Sequence, residues 1–482
     1  MKHLRRLLPL FLVFLLIMPA SADVALAPGS YLYSPYQDAV ASVPAYEHHR
    51  SIYLKDLRGA ESLANLKDAW VADDRIFVLR DGELLILDLN FNLVRSIRTY
   101  LDKEGKEHRL SGGNGIAVCK DGDYYIARSI QGDILHFSSD HKLVRVIGRP
   151  RIPGFENVAY KPIKLAVDEA KRIYVVAQGM YEGIVELSPD GEFSRFYGVN
   201  RVKFSFAQFF WRIFATREQL QRQQLWLPTD FTNLCIDSRG FIFATIQDSQ
   251  GEIIKRLNAK GENILRPIEG NYPEGDVLFN PSGVGIPTGP SAFIAVDSNP
   301  YGVFIALDQK RNRIFAYNED GRPLYIIGGP GQHEGLFRNP VDLDFVGEYI
   351  MVLDALSQSI DIYAPTAYGQ AIHNAVRQQY VFNYEEAAKH WRRTLDFNHN
   401  FTLAYSGIGR SLLRAGQYDQ AMEYLRMGSD REYYSKAFEK VRDRELKIWL
   451  MPVLLGLIVL SALVKIFKWQ RKKRSGKGEA HT

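Results

Sequence analysis

The sequence predicts a mainly β chain: a six-bladed β-propeller, then a module of α-helical hairpins, then one C-terminal transmembrane helix. Sets of short apolar strands recur along residues 45–366. Beyond them, three residues of a helical pattern recur 34 residues later, a spacing typical of a two-helix repeat. The matching residues are Tyr384, Ala387 and Trp391, followed by Tyr418, Ala421 and Leu425. The chain then enters an apolar segment, residues 448–464, which is long enough to cross a bilayer.

The strand sets have the pattern of propeller blades. In each set an apolar strand leads through a polar turn to further apolar and aromatic strands, and four short strands per repeat are typical of a blade. One aspartate is interpreted as the turn residue of each set: Asp74, Asp121, Asp168, Asp237, Asp297 and Asp344. Residues 51–54 lie ahead of the first set, and we expect them to supply the strand that closes the ring. An open β-solenoid or two β-sandwiches are the alternatives.

The N-terminus has the pattern of a secretory signal peptide over residues 1–22. Basic residues up to Arg6 precede a short apolar stretch, and Ala20 and Ala22 provide the small side chains expected before a cleavage site at Asp23. An uncleaved N-terminal anchor is the alternative interpretation.

The C-terminal apolar segment predicts the topology of the chain. Residues 448–467 are expected to span the membrane once, because leucine and valine cover every face of the helix. The tail, residues 468–482, is basic from Lys468 onward and should remain cytoplasmic. The bulk of the chain is therefore expected outside the cytoplasm, at the cell membrane. A buried core helix is the alternative for the apolar run.

Composition is that of an ordinary globular chain. Charged residues make up 24% and hydrophobic residues 46%, and the net charge of +5 owes much to the two termini. Because the basic residues at the termini are explained by the orientation of the chain in the membrane, we expect no nucleic-acid partner. Cys119 and Cys235 lie in two different apolar runs, so we expect two buried free thiols and no disulfide. An exported chain with so little cysteine is typical of a bacterial surface protein.

Residues 328–340 resemble the linker between NHL repeats. Spaced glycines such as Gly328 and Gly335 precede Phe337 in a closing Phe-x-x-Pro pattern, and residues 308–315 are similar to that family's third-strand pattern. The resemblance implies a six-bladed propeller that binds a partner. NHL-like propellers include binding modules as well as lyases and lactonases, so the resemblance does not imply an enzyme.

Residues 372–447 resemble tetratricopeptide repeats with a capping helix. Small residues such as Gly407 and Gly409 would let two helices approach closely, and aromatic residues such as Tyr418 would fill the groove between hairpins. Two repeats are fewer than an independent array needs, so residues 431–447 are expected to add a third helix, which can continue without a break into the membrane span. A generic helical bundle is the alternative.

An insertion between the third and fourth strand sets, residues 202–226, predicts an amphipathic helix. Its apolar residues fall at helical spacing, and a tryptophan lies beside them. These candidate membrane or partner contacts are Phe206, Phe209, Phe210, Trp211, Ile213 and Phe214. Three interpretations remain open: packing on the protein itself, shallow insertion into the outer membrane interface, and docking onto another membrane protein.

Candidate ligand-binding residues lie near the starts of the innermost strands, where they could line a polar mouth of the propeller channel. They are Asn114, Lys164, Asp230, Asn233, Asn339 and Asp342. Lys164 would oppose a cation there, and we find no spacing of metal ligands, no nucleophile motif and no phosphate-binding loop. We therefore expect no catalytic residues, no metal and no cofactor.

Two function classes follow. The first is a membrane-anchored binding or scaffold protein at the cell surface, which recognises a ligand or protein through the propeller and the helical repeats. Similar architectures suggest association with a membrane transporter. The second is an extracytoplasmic propeller hydrolase or lyase, similar to lactonases, with a metal in the central channel.

Overall fold

The computed structural model describes residues 30–34, 39–153, 158–180, 182–198, 230–247, 252–265, 267, 273, 275–276 and 290–475. The predicted signal peptide, the predicted insertion at residues 202–226 and the end of the basic tail lie outside these ranges. The chain divides into two compact units, one ending at Thr366 and the other beginning at Ala367.

The first unit is a six-bladed β-propeller. Six antiparallel sheets follow one another along the chain. In five of them the strands run in sequence order from the innermost outward, and the sixth adds an outermost strand from the start of the chain. Blades 1 to 3 contain β4 to β7 (Leu66–Val71, Arg75–Arg80, Glu83–Asp88, Leu93–Ile97), β10 to β13 (Gly113–Val118, Tyr124–Arg128, Asp133–Phe137, Leu143–Ile147) and β14 to β17 (Lys161–Val167, Ile173–Gln178, Ile184–Leu187, Phe193–Tyr197). Blades 4 to 6 contain β18 to β20 (Phe231–Ile236, Ile242–Ile246, Ile254–Leu257), β21 to β24 (Phe293–Ser298, Val303–Asp308, Arg313–Asn318, Pro323–Gly328) and β25 to β27 (Pro340–Val346, Tyr349–Asp354, Ser359–Pro365).

The ring is closed by a strand from the start of the chain. β3 (Tyr46–Ile52) pairs antiparallel with β27 and becomes the outermost strand of blade 6. Ile52 lies opposite Ile360 in this register. The predicted closing strand is thus confirmed, although it begins earlier than residue 51. Because its two ends share one sheet, the propeller has no open edge between its first and last blades.

Two small ladders complete the described strands. They are β1 with β2 (Tyr31–Tyr33, Ala39–Ala41) and β8 with β9 (Thr99–Leu101, Glu107–Arg109). A 3-10 turn, Leu54–Asp56, follows β3.

The core lies between blades. The second strands are buried on both faces, as in β5, where Ile76 and Val78 pack in one cluster with Met351 and Leu353 of blade 6. Leu79 packs instead with residues of blade 2 such as Ile126. Each fully buried side chain of this kind contributes roughly 1.5–3 kcal/mol, so the ring is stabilised by many interblade contacts of similar size.

Both cysteines are free, as predicted. Cys235 is buried in β18, whereas Cys119 is only half-buried. The expectation of two buried thiols is wrong for Cys119 because this residue directly follows β10, where the chain turns toward β11. Its amide donates to the Asp123 carbonyl across that turn, 2.8 Å away.

The second unit consists of two helical hairpins and one long helix. The helices are α1 to α5: Ala367–Tyr380, Tyr384–Phe397, Thr402–Arg414, Tyr418–Met427 and Arg431–Ser475. The first helix begins five residues before the predicted boundary at 372. The residues that recur after 34 positions lie at equivalent places in α2 and α4, where Ala387 and Ala421 are completely buried.

Glycines allow the close helix contacts that the sequence predicts. A Cβ atom on Gly407 would lie 2.2 Å from Nε1 of the buried Trp391, so α3 can approach α2 only with glycine at this position. Likewise, a Cβ atom on Gly409 would lie 2.6 Å from Cγ of Leu425 in α4. These two contacts hold the hairpins in register.

α5 joins the hairpins to the apolar segment without a break. Near its start Ala437 is completely buried, and the Arg444 guanidinium donates to the Asp419 carboxylate of α4 at 2.8 Å. From Leu446 onward the apolar side chains of the helix are exposed. By length and composition α5 can cross a membrane, and none of its most apolar window is buried in the protein. The alternative of a buried core helix is therefore wrong.

Candidate functional site in the propeller channel

The six innermost strands share a β-bulge at the same position. A bulge inserts one extra residue into a strand and re-aims the side chains beside it. The register with the second strand shifts at this place in every blade, and the residues that follow the shift are Asp68, Gly115, Lys164, Asn233, Ala295 and Asp342. The polar members of this set come from blades 1, 3, 4 and 6, and contacts among them cross the channel.

Lys164 lies at the centre of this group. Its ammonium pairs with the Asp68 carboxylate of blade 1, and its Nζ is 3.4 Å from Oδ1 of Asp342 in blade 6. The Asn233 amide nitrogen of blade 4 lies 3.5 Å from the same Asp342 oxygen. Asp68, Asp342 and Asn233 are each at most 5% exposed. The four side chains therefore form a buried ionic cluster that connects four blades.

Backbone amides occupy the remaining carboxylate oxygens. Oδ2 of Asp68 accepts a 2.6 Å hydrogen bond from the Ile116 amide of blade 2. Oδ2 of Asp342 accepts a 2.7 Å hydrogen bond from the Ala69 amide of blade 1. Each aspartate thus accepts a hydrogen bond from the next blade in the ring and also pairs with Lys164. A buried charge requires partners of this kind, because it has lost its contacts with water.

Gly115 of blade 2 has a steric role at the same level. A Cβ atom there would lie 2.6 Å from the Ile163 carbonyl oxygen and 2.8 Å from Cα of Lys164. The bare backbone at this position lets the innermost strand of blade 3 approach and brings Lys164 to the channel.

The electrostatics favour a charged lysine. Burial lowers the pKa of Lys164, but the carboxylates of Asp342 and Asp68 outweigh burial and raise that pKa above its ordinary value. Burial raises the pKa of Asp68, and the Lys164 charge opposes this effect. Two carboxylates facing one ammonium would leave a net negative charge out of water, so the cluster is neutral when one carboxyl group retains its proton.

Two further aspartates lie close to the cluster on β21 and β25. Oδ2 of Asp297 accepts a 2.8 Å hydrogen bond from the Phe345 amide, which pins blade 5 to blade 6. Burial raises the pKa of Asp297 to about 6. Burial and the neighbouring carboxylate of Asp342 also raise the pKa of Asp344, whose buried Oδ2 atom has no hydrogen-bond partner among the residues that the structure describes.

The interpretation of Asp297 and Asp344 as turn residues is therefore wrong. Both lie inside innermost strands. In blade 5 the turn is held instead by Asn299, whose Oδ1 accepts from the Tyr301 and Val303 amides at 3.0 Å. In blade 6 the turn contains Gly347 at a φ of 61°. Asn299 takes the place that Asp168 and Asp237 have in the turns of blades 3 and 4, so similar aspartates in the sequence do not occupy the same position of the blade.

Three predicted site residues join the channel cluster and three do not. Lys164, Asn233 and Asp342 converge as described above. The Asn114 side chain accepts a 2.8 Å hydrogen bond from the Ser129 hydroxyl of the same blade. The backbone amide of Asn339 donates a 3.2 Å hydrogen bond to the Asp354 carboxylate. These bonds organise strand ends.

Asp230 is different, because it precedes β18 and its buried Oδ1 has no hydrogen-bond partner within the described part of the chain. Burial raises its pKa. The candidate contacts from Phe206 to Phe214 lie outside the described residues.

Sequence reasoning missed Asp68, Asp297 and Asp344. One signal could have identified Asp68: it occupies the third position of β4, as Asp342 does in β25. The contact of Lys164 with both residues depends on closure of the ring, because Asp68 and Asp342 are close in space only when blades 1 and 6 meet.

The charged side chains in the channel, Lys164, Asp68 and Asp342, pair with one another. A cation bound beside Lys164 would meet a like charge at short distance, which costs free energy in a buried site. Among the residues that the structure describes, no three His, Cys, Asp or Glu side chains are grouped so as to hold a metal ion. Among the described residues, Asp344 has an oxygen, Oδ2, that no side chain or backbone group pairs with and that could accept a hydrogen bond from a ligand.

Comparison with solved structures shows that this chain is similar to other proteins in fold. No protein-family model matches the sequence. No curated protein matches it either. Among solved structures, virginiamycin B lyase from Staphylococcus aureus is 12% identical, with a TM-score of 0.42 over 67% of this chain and 100% of that chain.

A protein of unknown function from Bacteroides thetaiotaomicron is also similar. It is 12% identical, with a TM-score of 0.43 over 70% of this chain and 76% of that chain. A streptogramin B lyase is 11% identical, with a TM-score of 0.40 over 67% of this chain and 100% of that chain. The six-bladed assignment depends on the strand pairing of this chain itself.

Proposed function

We propose that this chain is a membrane-anchored binding and scaffold protein, in which an NHL-like propeller and tetratricopeptide-like hairpins are displayed on the extracytoplasmic face of the cell membrane. The observation that carries the proposal is α5, which packs on α4 as far as Arg444 and then continues as an exposed apolar helix. A soluble protein rarely exposes so long an apolar surface, because its transfer from water is strongly favourable.

The buried channel cluster supports binding in preference to catalysis. Lys164, Asp68 and Asp342 satisfy one another and pin neighbouring blades, so they stabilise the ring. Recognition by the propeller would then use its outer surface and loops, and the hairpins would offer a second surface for a protein. A membrane transporter is one class of partner that suits an anchored two-module protein.

Topology is tested with single cysteines in a Cys119→Ser background, in which Cys235 remains buried. In right-side-out membrane vesicles, Met427→Cys should react with an impermeant thiol reagent, and Ser475→Cys should react only after lysis. Met427 is 46% exposed and belongs to the hairpin unit. Labelling of Ser475→Cys in sealed vesicles would overturn both the orientation and the proposed location.

Partner binding is tested by affinity capture of the full-length protein in mild detergent, with Gly407→Ala as a comparison. This variant disturbs the contact of α3 with Trp391 and leaves the propeller sequence unchanged. A partner captured by the wild type and lost only in Gly407→Ala would be assigned to the hairpins. If the wild type captures no partner in its native membrane, the scaffold function is rejected.

A second candidate is a channel hydrolase or lyase, and one observation favours it. Burial raises the pKa of Asp297 to about 6 and, together with the Asp342 carboxylate, raises the pKa of Asp344, and carboxyl groups with raised pKa values occur at catalytic sites. Metal analysis of the purified protein separates the two functions. A stoichiometric divalent cation that is lost in Asp297→Asn with Asp344→Asn would favour the enzyme.

A further inference from the structure

The loop between α1 and α2 places an aromatic residue where glycine is favoured. Phe382 has a φ of 62°, in the left-handed region that side chains with a Cβ atom rarely adopt. Its amide donates to the Gln379 carbonyl at 3.0 Å, and the Asn383 amide donates to the Gln378 carbonyl at 2.8 Å. These two hydrogen bonds form the Schellman motif that ends many helices, and the residue at the position of Phe382 is usually glycine.

The second hairpin has the expected residue at the same place. Gly416, 34 residues later, has a φ of 76° at the end of α3. The amides of Gly416 and Gln417 donate to the Leu413 and Leu412 carbonyls at 3.2 and 3.0 Å. The two loops share one backbone geometry, so the geometry does not explain the phenylalanine of the first loop.

Burial within the helical unit does not explain Phe382 either. Its side chain is 73% exposed, although its ring lies 6.3 Å from that of Tyr384. The preceding residue, Val381, is 55% exposed. The loop therefore presents two adjacent apolar side chains to its surroundings, one of them in an unfavourable backbone conformation.

This loop lies at the edge of the hairpin unit from which α5 departs. Tyr384 begins α2, and its ring lies 3.8 Å from the guanidinium of Arg414 at the end of α3. Asp419, at the start of α4, pairs with Arg444 of α5. The first turn of α2, the last turn of α3 and the first turn of α4 are therefore all at the edge that α5 passes just before its apolar segment.

Aromatic residues on α5 indicate the depth of the bilayer. Trp449 and Trp469 are both exposed, at the two ends of the apolar segment. At 1.5 Å per residue they are about 30 Å apart, which is the thickness of the hydrocarbon core. Tryptophan concentrates at the two membrane interfaces. Arg444 precedes Trp449 by about 7.5 Å along the helix, so this edge of the hairpins lies close to the headgroups.

We propose that Val381 and Phe382 form a second membrane contact, in which the α1–α2 loop inserts its apolar side chains into the interface beside the span. The proposal rests on the membrane-spanning role of α5. Two ion pairs lie at this edge, Arg444 with Asp419 and Lys389 with Glu386. The contact therefore depends on apolar insertion and does not require anionic lipid.

The test uses the full-length protein in phosphatidylcholine vesicles, with an environment-sensitive fluorophore on single cysteines in a Cys119→Ser background. Val381→Cys reports the loop. Phe397→Cys is the matched control, because Phe397 is 40% exposed and lies near Tyr368 at the opposite edge. Val459→Cys reports the middle of the span. Nitroxides on lipids, placed either near the carbonyl region or near the chain end, quench the fluorophore according to its depth.

We expect the shallow nitroxide to quench the fluorophore at Val381→Cys several-fold more strongly than at Phe397→Cys, and this difference to disappear when Phe382→Gly is added. Phe382→Gly should melt at the wild-type temperature or higher, because glycine suits the left-handed conformation. Equal quenching at the two edges, with deep quenching retained at Val459→Cys, would overturn the loop contact and leave the span intact. Absence of deep quenching at Val459→Cys would overturn both the span and the contact that depends on it.

Discussion

Nζ of Lys164 lies 3.4 Å from Oδ1 of Asp342 and connects blade 3 to blade 6 through the centre of the propeller. The same ammonium pairs with Asp68 of blade 1. Asp342 lies on the innermost strand of blade 6, so the cluster acts at the opposite edge of that blade from the closing strand β3. Its contribution is to hold distant segments of the chain together, and its loss should weaken the whole propeller.

The first prediction is that Lys164→Met lowers the free energy of unfolding by about 3 kcal/mol, because it leaves Asp68 and Asp342 buried without their counter-ion. Denaturant unfolding of the detergent-solubilised protein measures the change. Lys161→Met, an exposed lysine of the same strand, is the control and should change stability little. Equal effects of the two substitutions would show that the cluster does not stabilise the ring.

The second prediction concerns pH. Burial raises the pKa of Asp297 to about 6, compared with about 3.9 in an unfolded chain. The folded state therefore binds this proton more tightly, so the stabilisation is complete below about pH 4 and is lost as the pH rises through about 6. Between pH 4 and 7, the free energy of unfolding of the wild type should fall by on the order of 2 kcal/mol relative to that of Asp297→Asn.

Thermal unfolding at several pH values measures this difference. Asn keeps an oxygen that can accept from the Phe345 amide, so Asp297→Asn should fold. Asp140→Asn, in an exposed turn, is the control and should follow the wild-type pH profile. A constant difference between wild type and Asp297→Asn across this range would contradict the prediction.

The third prediction is that Gly407→Ala destabilises the hairpins by about 1–3 kcal/mol, as expected of overpacking. The new Cβ atom would lie 2.2 Å from the indole Nε1 of Trp391, which is completely buried and cannot swing away. Near-ultraviolet circular dichroism of the tryptophan signal during melting reports the change. Gly456→Ala, where a Cβ atom meets no other atom within 4 Å, is the matched helical control.

The fourth prediction concerns residues 202–226. Phe209→Asp with Phe210→Asp should abolish binding to vesicles or to a partner, because it replaces two apolar side chains with charges that are costly to remove from water. The assay uses the chain truncated before Ile448. Gln208→Asp with Thr216→Asp, away from the apolar stripe, is the control. If the Phe variant melts many degrees lower and the wild type binds neither surface, the segment packs on the protein itself.

Local patterns of the sequence were sufficient for the elements and their order. Short apolar runs bounded by polar residues predict strands such as β5, and the pairing of β3 with β27 confirms the expected closure. The echo from Trp391 to Leu425 predicts the hairpins, because a two-helix repeat buries the same positions in each copy. The strand patterns depend on neighbours a few residues apart and the hairpins on a 34-residue repeat, both of which a single sequence displays directly.

What the sequence by itself determined is therefore the blade repeat, the paired helices and an apolar helix long enough to span a membrane. Only the tertiary structure decided which polar residues meet. Asp68 and Lys164 are in contact because a bulge in each innermost strand re-aims the side chain and because the closed ring brings blade 3 against blades 1 and 6. The same is true of Asp297, which resembles a turn aspartate in the sequence but lies in a strand, where burial changes its proton affinity. Contacts between residues so distant in the chain depend on how the blades meet around the channel, which no local pattern encodes.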